Sequence, residues 1–357
     1  MPPYHILVIN PGSTSTKVAV YEDERPLCVS TIRHTSDELA AYTQIIDQHD
    51  FRRQLVTDWL AQNNIPLRFD AIIGRGGLIK PIPGGVYRVN RKMCFETYYA
   101  LRKHACNLGC ILAYELAKEQ GGGCQAYIAD PVTVDELVPE ARVSGSPLMP
   151  RLAIWHALNQ RAIARRYARQ VGCSYNDLNL IVCHLGGGIS VAAHEHGRAI
   201  DANNALDGEG PLSPERAGTL PAADLIHLCY SGRYTEEQLK KRVAGQAGLM
   251  AHLGTTDILQ IMQMIEQGNE RARLLINAMI FHTAKQIAAE GAVLCGRVDA
   301  ILLTGGMAHS AYITEGIKQR VSYLAPVHVF PGEDEMEALA LNALAVLRGE
   351  CQAKEYE

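Results

Sequence analysis

The sequence contains two similar stretches in which an apolar strand enters a glycine loop and a second apolar strand leaves it. The first is ILVINPGSTSTKV at residues 6–18, and the second is LIVCHLGGGISVAA at 180–193. When the two are aligned, Asn10 falls on His184, and glycine, hydroxyl and apolar residues follow in the same order. A chain that repeats such a unit is expected to form two domains of one architecture.

A second pair of similar segments lies downstream of the first. DAIIGRGG occupies residues 70–77, and DAILLTGG occupies 299–306. Each is typical of a buried strand that ends in two glycines, where a ligand can approach the backbone closely. Two unrelated matches in the same order favour a duplication, although short apolar runs also match by chance.

Helical and strand patterns fill the space between the repeats. The spacing of apolar residues predicts helices and strands at 95–120, 125–129, 151–171, 271–290, 326–330 and 335–348. We therefore predict two α/β domains with mixed sheets, at residues 1–150 and 151–334. The last helix, at about 335–350, can also pack back on the first domain. A cleft between the domains would carry one glycine loop on each wall, and its closure would exclude water.

Composition excludes several classes of function. The net charge is −4 and the pI is about 6.4, so no basic excess points to nucleic acid or an anionic membrane. The ten cysteines include no CxxC and no cysteine–histidine cluster with zinc spacing. The start MPPYHILVIN lacks a signal peptide, and no apolar run is long enough to span a bilayer. We expect a soluble cytoplasmic protein with reduced thiols and small-molecule substrates.

The first glycine loop has the ingredients of a phosphate-binding site. Gly12 allows backbone N–H groups to approach an anion, hydroxyl side chains add donors, and Lys17 supplies a positive charge. It is not a P-loop, because the GxxxxGK[ST] spacing is absent and a strand follows instead of a helix. The plain alternative is a surface hairpin turn. The candidate phosphate contacts are Asn10, Ser13, Ser15 and Lys17.

The motif order INPGSTSTK, GRGG, HLGGGIS and LLTGGMA resembles that of the acetate and butyrate kinase family. Further stretches, among them DGEGPLSPERAGTLP and PGEDEMEALALNAL, resemble the butyrate kinase branch. The similarity extends from residue 5 to about residue 348. It implies duplicated ribonuclease-H-like α/β domains, each with a mixed five-stranded sheet, forming two lobes around a nucleotide cleft. It also implies ATP/ADP and Mg²⁺ as cofactors, and a homodimer or higher homo-oligomer.

The family transfers the γ-phosphoryl group of ATP reversibly to a carboxylate, giving an acyl phosphate and ADP. Its catalytic positions fall on Arg75, His104, Asp130, His156 and Arg216. By this resemblance the two arginines would clamp the substrate and the phosphoryl group, and His156, on the predicted helix, would donate to that group. Without the resemblance, these are ordinary loop arginines, structural histidines and a strand-end cap.

The remaining family positions bind nucleotide, phosphate and metal. Those for nucleotide and phosphate fall on Asn10, Ser13, Ser15, Lys17, His184, Gly186, Gly187, Gly188, Gly305 and Gly306. The metal position falls on Glu335, together with Asn10, although a glutamate there also suits a helix N-terminus. The acidic neighbours Glu333, Asp334 and Glu337 leave this choice open. TGGMAHS lacks the acidic and amide side chains of acetate kinases, so the base and ribose contacts are open as well.

Two features bear on the acceptor. GGLIKP follows Arg75 where acetate kinases carry bulkier residues, which favours butyrate, isobutyrate or a similar acid. Trp155 stands where a phenylalanine is expected, which leaves the chain length open. One alternative is a related kinase for another acid, such as acetate or propionate, or for an alcohol. Only an alcohol would need a general base, and Asp130 would then take that role. Another is a nucleotide-gated binding protein that transfers no phosphoryl group.

Overall fold

The computed structural model describes residues 2–100 and 104–357, which form two compact units. The first comprises Met1–Val134 with Asp334–Glu357, and the second comprises Asp135–Glu333. The boundary between the units therefore lies after Val134, whereas the sequence pattern predicted it after residue 150. The physical reason is local pairing: the Val138 N–H donates to the carbonyl of Ile200 at 2.9 Å, which ties this segment to the second unit.

The first unit is built on a six-stranded mixed sheet. Its strands are β1 (His5–Pro11), β2 (Ser15–Glu22), β3 (Arg25–Arg33), β4 (Ala71–Arg75), β5 (Val86–Arg88) and β6 (Gln125–Ala129). Their order is β3-β2-β1-β4-β6-β5. β1, β2 and β3 form an antiparallel meander, β4 and β6 run parallel to β1, and β5 is antiparallel to β6.

Helices cover this sheet. They are α1 (Ser36–Ala40), α2 (His49–Gln62), α3 (Arg91–Tyr98) and α4 (Leu108–Gln120). The single helix predicted at 95–120 is wrong, because α3 ends at Tyr98 and a new helical turn begins at Ala105; residues 101–103 of that prediction lie outside the described residues. His104 caps that start by accepting the Cys106 N–H at its Nδ1, 3.2 Å away. α4 ends at Gly121, in the predicted glycine triplet, with a φ of +68°.

The second unit contains a five-stranded mixed sheet and most of the helices. Its elements are α5 (Pro139–Arg142), α6 (Ala157–Val171), β7 (Asn179–Leu185), β8 (Ile189–Glu195), β9 (Arg198–Ala202), α7 (Ala222–Cys229), α8 (Glu236–Val243), α9 (Gly248–Leu253), α10 (Ile258–Glu266), α11 (Glu270–Val293), β10 (Ala300–Gly305), α12 (Ala311–Val321) and β11 (Val327–Pro331). The strand order is β11-β10-β7-β8-β9. β10 and β11 are parallel to β7, whereas β8 and β9 complete an antiparallel meander.

The two sheets repeat one design, as the sequence predicted. Asp70 accepts the backbone N–H of His5 at 2.7 Å and donates its own N–H to the His5 carbonyl at 2.8 Å. Asp299 makes the same pair of bonds with Asn179, at 2.7 and 2.8 Å. Each aspartate thus holds the first strand of its unit against the fourth. The first sheet exceeds the predicted five strands only by the short β5.

Successive apolar side chains of β7 pack alternately into the core on the two faces of the second unit's sheet. Ile181 and Cys183 lie in a cluster with apolar residues of α11 and α12, including Ile287. Leu180 and Val182 lie in a second cluster with residues of α6. Because successive side chains of a strand point to opposite faces, this fully apolar run is buried on both sides.

The last helix, α13 (Glu335–Leu347), belongs to the first unit and packs against β1 and β4. It agrees with the helix predicted at 335–348. The helix predicted at 151–171 instead begins at Ala157, after an extended segment. No helix in the described part of the chain combines the length and the apolar character that a membrane span requires.

Candidate functional site

The opening glycine loop is the turn of the β1–β2 hairpin. Asn10 pairs with Lys17 across the hairpin, and the Gly12 N–H closes the turn on the Ser15 carbonyl at 2.7 Å. Asn10 is buried, whereas Ser13 and Lys17 are exposed at the tip. The plain hairpin interpretation therefore describes the backbone correctly, and the side chains proposed to contact phosphate surround the same turn.

A buried arginine that sequence reasoning missed lies beneath this loop. Arg52 of α2 is fully buried, and its Nη1 donates to the carbonyls of Gly12 at 2.8 Å and Ser15 at 3.1 Å. Its Nη2 donates to the Ser13 carbonyl at 3.3 Å. No carboxylate among the described residues pairs with it, and burial lowers its pKa to about 10, so it remains charged at neutral pH. The loop is thus shaped around a positive charge.

The carboxylate of Glu335 contacts two other predicted site residues of the first unit, Asn10 and Arg75. Glu335, at the start of α13, accepts the Asn10 side-chain amide N–H at 2.8 Å through Oε2, and the same oxygen pairs with the Arg75 guanidinium. Glu335 is buried, whereas Glu337 is exposed and Glu333 belongs to the second unit. Of the acidic residues that the sequence left open, Glu335 contacts Asn10.

The glycines around Arg75 serve packing. A Cβ at Gly74 would stand 2.0 Å from the carbonyl oxygen of Gly109, so this glycine lets α4 approach β4 closely. A Cβ at Gly76 would stand 2.6 Å from the Pro131 side chain. Other residues thus fill the space that side chains at Gly74 and Gly76 would occupy, so these glycines do not by themselves enlarge an acceptor pocket beside Arg75.

Asp130 and His104 are the other predicted catalytic residues of this unit. Asp130 follows β6, is buried, and has a φ of +39°, a conformation that costs energy for a residue with a side chain. Its Oδ1 accepts the Gly85 N–H at 2.7 Å, so it also caps the strand end, as the plain alternative states. His104 is exposed at its helix cap. Their catalytic roles stay predictions.

Two predicted histidines meet in the second unit. The rings of His156 and His184 stack with centroids 3.7 Å apart and planes inclined by 11°. His184 lies near the end of β7, just before the glycine loop. Its Nδ1 is 2.8 Å from Asn159 Oδ1, and its Nε2 is 3.0 Å from Glu333 Oε1. The prediction that His156 lies on a helix is wrong, because His156 is the N-cap residue that precedes α6. Its Nδ1 lies 2.8 Å from the Ser190 hydroxyl.

Arg216 lies against the second glycine loop. The Ser213 hydroxyl donates to the Gly187 carbonyl at 2.6 Å and accepts the Arg216 N–H at 3.1 Å. The Arg216 Nη1 donates to Glu215 at 3.1 Å. Its Nε–H is buried, and no hydrogen-bond partner exists for it among the described residues. A buried donor of this kind is available to an anion bound at the loop.

A cavity of 670 Å³ in the second unit brings the two predicted glycine motifs together. It is lined by Gly187 from the β7–β8 loop and by Gly306 from the turn after β10. Asp257, at the N-cap of α10, and His309 add polar groups, whereas Met262 adds an apolar surface. Sequence reasoning missed the α10 segment, although its N-cap aspartate before an apolar helix was a readable signal.

The donor set for a metal is small. Across residues 2–100 and 104–357, no three histidine, cysteine, aspartate or glutamate side chains group together as metal ligands. The first unit offers the Glu335 carboxylate and the Asn10 amide side by side. Mg²⁺ commonly binds through one or two carboxylates and substrate phosphates, so these oxygen ligands fit that ion.

Comparisons with known proteins agree with this picture. The Acetokinase family matches residues 153–328. The chain is 62% identical to "Probable butyrate kinase" of Bacteroides thetaiotaomicron over 352 residues, and 48% identical to "Butyrate kinase 2" of Clostridium acetobutylicum over 356 residues. Each match covers 99% of both chains.

Solved structures confirm the fold. The Porphyromonas gingivalis acetate kinase superposes with a TM-score of 0.77 at 16% identity, with 96% of this chain and 100% of that one covered. A Francisella tularensis propionate kinase gives 0.77 at 17% identity, covering 95% and 98%.

The fold and the two groups of residues define a phosphotransferase with two α/β units of one design. The chain belongs to the acetokinase family, as its motifs predicted, and within it to the group that contains the relatives named butyrate kinase. It is therefore a carboxylate kinase that uses ATP or ADP.

Proposed function

We propose that the protein transfers the γ-phosphoryl group of ATP reversibly to butyrate or a similar short-chain or branched fatty acid. The observation that carries the nucleotide part is the 670 Å³ cavity, because both glycine motifs of the second unit line it. The names of the full-length relatives support butyrate as the acceptor. The packed glycines after Arg75 no longer supply an independent argument for chain length.

The second unit would hold the nucleotide. Backbone N–H groups of Gly187 and Gly188 suit phosphate oxygens, and Gly186 shapes the same loop by donating its N–H to the Gly188 carbonyl at 3.2 Å. The turn at Gly305 and Gly306 would let the nucleoside lie against the backbone. Gly305 has a φ of +93°, and a Cβ there would stand 2.4 Å from the Leu185 carbonyl oxygen. Any larger residue would therefore push β10 away from β7.

We assign the nucleoside contacts that the TGGMAHS motif left open to the polar side chains near this turn. Asp257, His309 and Ser310 line the same cavity, and their groups suit the hydroxyls of a ribose. Ile258, Leu259 and Met262 supply an apolar wall suited to a base. The ribose and base contacts would thus come from α10 and from the turn before α12.

The reaction requires alignment and charge stabilisation more than proton transfer. A carboxylate is already a deprotonated nucleophile, so no strong base is required. We assign Arg75, Arg216 and His156 as donors to the substrate carboxylate and the phosphoryl oxygens. Asp130 and His104 keep the catalytic roles that the family resemblance implies, and the hairpin residues Ser13, Ser15 and Lys17 are assigned to phosphate contacts.

Mg²⁺ would be held by Glu335 and Asn10 in the first unit, with phosphate oxygens and water as its other ligands. The ion would neutralise charge on the β- and γ-phosphates. Arg75 shares the Glu335 carboxylate, so the protein itself holds this oxygen in place between an amide and a guanidinium. That arrangement fixes the carboxylate before any substrate is bound.

Trapping the product with hydroxylamine tests the activity directly. The protein, Mg·ATP and each straight or branched acid from acetate to hexanoate are incubated with hydroxylamine, and the acyl hydroxamate is measured. We expect hydroxamate with butyrate and isobutyrate above that with acetate. No hydroxamate from any of these acids would contradict the proposal.

Matched variants distinguish catalysis from nucleotide binding alone. Arg216→Ala should lower hydroxamate formation strongly, whereas Arg233→Ala, at an exposed position, should not change it. If both Arg75→Ala and Arg216→Ala keep full activity, the arginines are not the clamp, and a nucleotide-gated binding protein becomes the better interpretation.

We further propose that the protein works in the cytoplasm as a homodimer or higher homo-oligomer. All ten cysteines are free, as expected in a reducing compartment. Light scattering coupled to size-exclusion chromatography would measure the oligomeric state.

A further inference from the structure

A line of buried polar side chains runs from His156 into the interior of the second unit. The Ser190 hydroxyl lies 2.8 Å from His156 Nδ1, and Gln160 Nε2 lies 2.8 Å from that hydroxyl. Gln160 Oε1 lies 3.1 Å from His194 Nε2, and the Tyr175 hydroxyl lies 2.6 Å from His194 Nδ1. Gln160, Ser190 and His194 are each fully buried, so each bond must be satisfied within the line.

The direction of these bonds follows from one fixed contact. Gln160 Nε2 also lies 3.0 Å from the backbone carbonyl oxygen of Ser190, which can only accept. The amide nitrogen must therefore face Ser190, and the amide oxygen must face His194. Because that oxygen only accepts, His194 carries its proton on Nε2.

His194 then has an accepting Nδ1. Burial, with help from the nearby Arg161 and Arg165, lowers the pKa of His194 to about 3, so the ring is neutral. A neutral ring with a proton on Nε2 accepts at Nδ1, and the Tyr175 hydroxyl is its donor. Trp155 packs edge-on against this ring, with centroids 5.6 Å apart, and keeps it in place.

The Ser190 hydroxyl donates its hydrogen bond to His156, in the same direction as the bonds before it. Its oxygen accepts from Gln160 and faces the His156 backbone N–H at 3.3 Å, which occupies both lone pairs. Its own proton therefore points to His156 Nδ1. His156 accepts at Nδ1, and its remaining proton is on Nε2.

We propose that the line Tyr175–His194–Gln160–Ser190 holds His156 as a neutral imidazole with its proton on Nε2. Each member donates in the same direction, and the last donor of the line is the His156 Nε2–H. Ser190 and Gln160 are thus positioning residues. The inference rests on the proposed function for its consequence, because a fixed Nε2–H is the donor that a phosphoryl group in transfer requires.

Nitrogen NMR of the wild-type protein, labelled with ¹⁵N-histidine, tests the tautomer without any substrate. The His156 signals are identified by their loss in His156→Asn. We expect a protonated Nε2 and an unprotonated Nδ1 at neutral pH. A proton on Nδ1, or a doubly protonated ring, would overturn the proposal whether or not the enzyme phosphorylates butyrate.

Two variants test the positioning role. Ser190→Ala and Gln160→Met remove the donor to His156, directly or one step away, and should produce a mixture of the two tautomers. For the kinase reaction we expect kcat to fall about tenfold or more with little change in either KM, as for a lost transition-state contact. Ser322→Ala, at an exposed serine, should change neither the spectrum nor kcat.

Thermal unfolding of both variants is measured in parallel, and a variant that unfolds early is replaced by Ser190→Cys, whose thiol is only a weak donor. Ser190→Thr keeps the hydroxyl and is the conservative control, which should keep the wild-type tautomer and kcat. Folded Ser190→Ala, Ser190→Cys or Gln160→Met proteins that keep the wild-type tautomer and kcat would contradict the positioning role. A changed tautomer with unchanged kcat would support the hydrogen-bond line but would contradict the role of His156 as a donor in the reaction.

Discussion

His156 and His184 lie face to face with ring centroids 3.7 Å apart. Two imidazoles at this distance cannot both carry a positive charge without strong repulsion. His184 Nε2 lies 3.0 Å from Glu333 Oε1, and in the proposed hydrogen-bond line the Ser190 hydroxyl donates to His156 Nδ1. The pair therefore favours a division of roles, in which His156 is the neutral donor and His184 contacts Glu333 beside the glycine loop.

This division predicts the effect of removing His156. His156→Ala should lower kcat by about 100- to 1,000-fold, the usual loss when one donor to transition-state charge is removed. The KM for ATP should change little, because the glycine loops that line the nucleotide cavity remain. Steady-state kinetics of hydroxamate formation measures both values.

His227→Ala is the matched control, because His227 lies exposed on α7. It should leave kcat unchanged. A His156→Ala protein with wild-type kcat would show that this histidine has only a structural role.

Arg52 supports a second prediction, on the opening loop. Arg52→Met removes the donors to the Gly12, Ser13 and Ser15 carbonyls, so three partly buried acceptors lose their partners. We expect the free energy of unfolding to fall by about 3 kcal/mol and the KM for ATP to rise about tenfold, because the turn loses its shape. Urea unfolding and ATP titration of initial rates measure these effects.

Its neighbour on the same helix provides the control. Arg53 is partly exposed and pairs with Glu115 and Glu119, so Arg53→Ala should change stability by no more than about 0.5 kcal/mol. Equal losses in the two variants would mean that the buried contacts of Arg52 contribute nothing special.

The Glu335 carboxylate gives a third prediction. Glu335→Gln keeps the shape but removes the charge that Arg75 and Asn10 contact. Activity or Mg²⁺ affinity should fall about 10- to 100-fold, as for other groups that orient metal sites. Mg²⁺ titration of the initial rate measures this, and Glu337→Gln, exposed two residues further on, should match the wild type. An unchanged Mg²⁺ dependence in Glu335→Gln would remove Glu335 from the metal site.

The repeat allowed much of the fold to be predicted from the sequence. Strand–loop–strand patterns are local, and the glycine pairs after Arg75 and Thr304 mark strand ends, so the strands of both sheets were readable. The four helices between residues 222 and 266 were not predicted, because each is only 6 to 9 residues long. Helices of this kind depend on tertiary packing more than on local pattern.

The site was predictable where the chemistry lies in a motif. His156 and His184, 28 residues apart, were both proposed, but no pattern showed that they stack. Arg52 was missed because a buried arginine looks like a surface residue in the sequence, although it shares the buried face of α2 with Val56 and Leu60. Its partners are backbone carbonyls, which leave no trace in side-chain identity.

The last prediction concerns a buried carboxyl group outside the proposed site. Glu290 of α11 is buried, and Gln286 donates to its Oε1 at 2.9 Å, while its Oε2 has no hydrogen-bond partner among the described residues. Burial, and then the negative charge of Asp201, raise its pKa to about 8. The folded protein therefore keeps a proton on Glu290 at pH values where the unfolded chain has lost it.

The sign of the pH effect follows from this difference. The stabilising contribution of the neutral Glu290 is complete below the pKa of the unfolded chain and is lost as the pH rises towards about 8. Over that window the free energy of unfolding should fall by about 1.4 kcal/mol per pH unit relative to Glu290→Gln, which cannot ionise. Urea unfolding of both proteins between about pH 5 and pH 8 measures the difference. Glu270→Gln, at an exposed position of the same helix, should run parallel to the wild type, and a Glu290→Gln curve that also runs parallel would contradict a buried neutral carboxyl group.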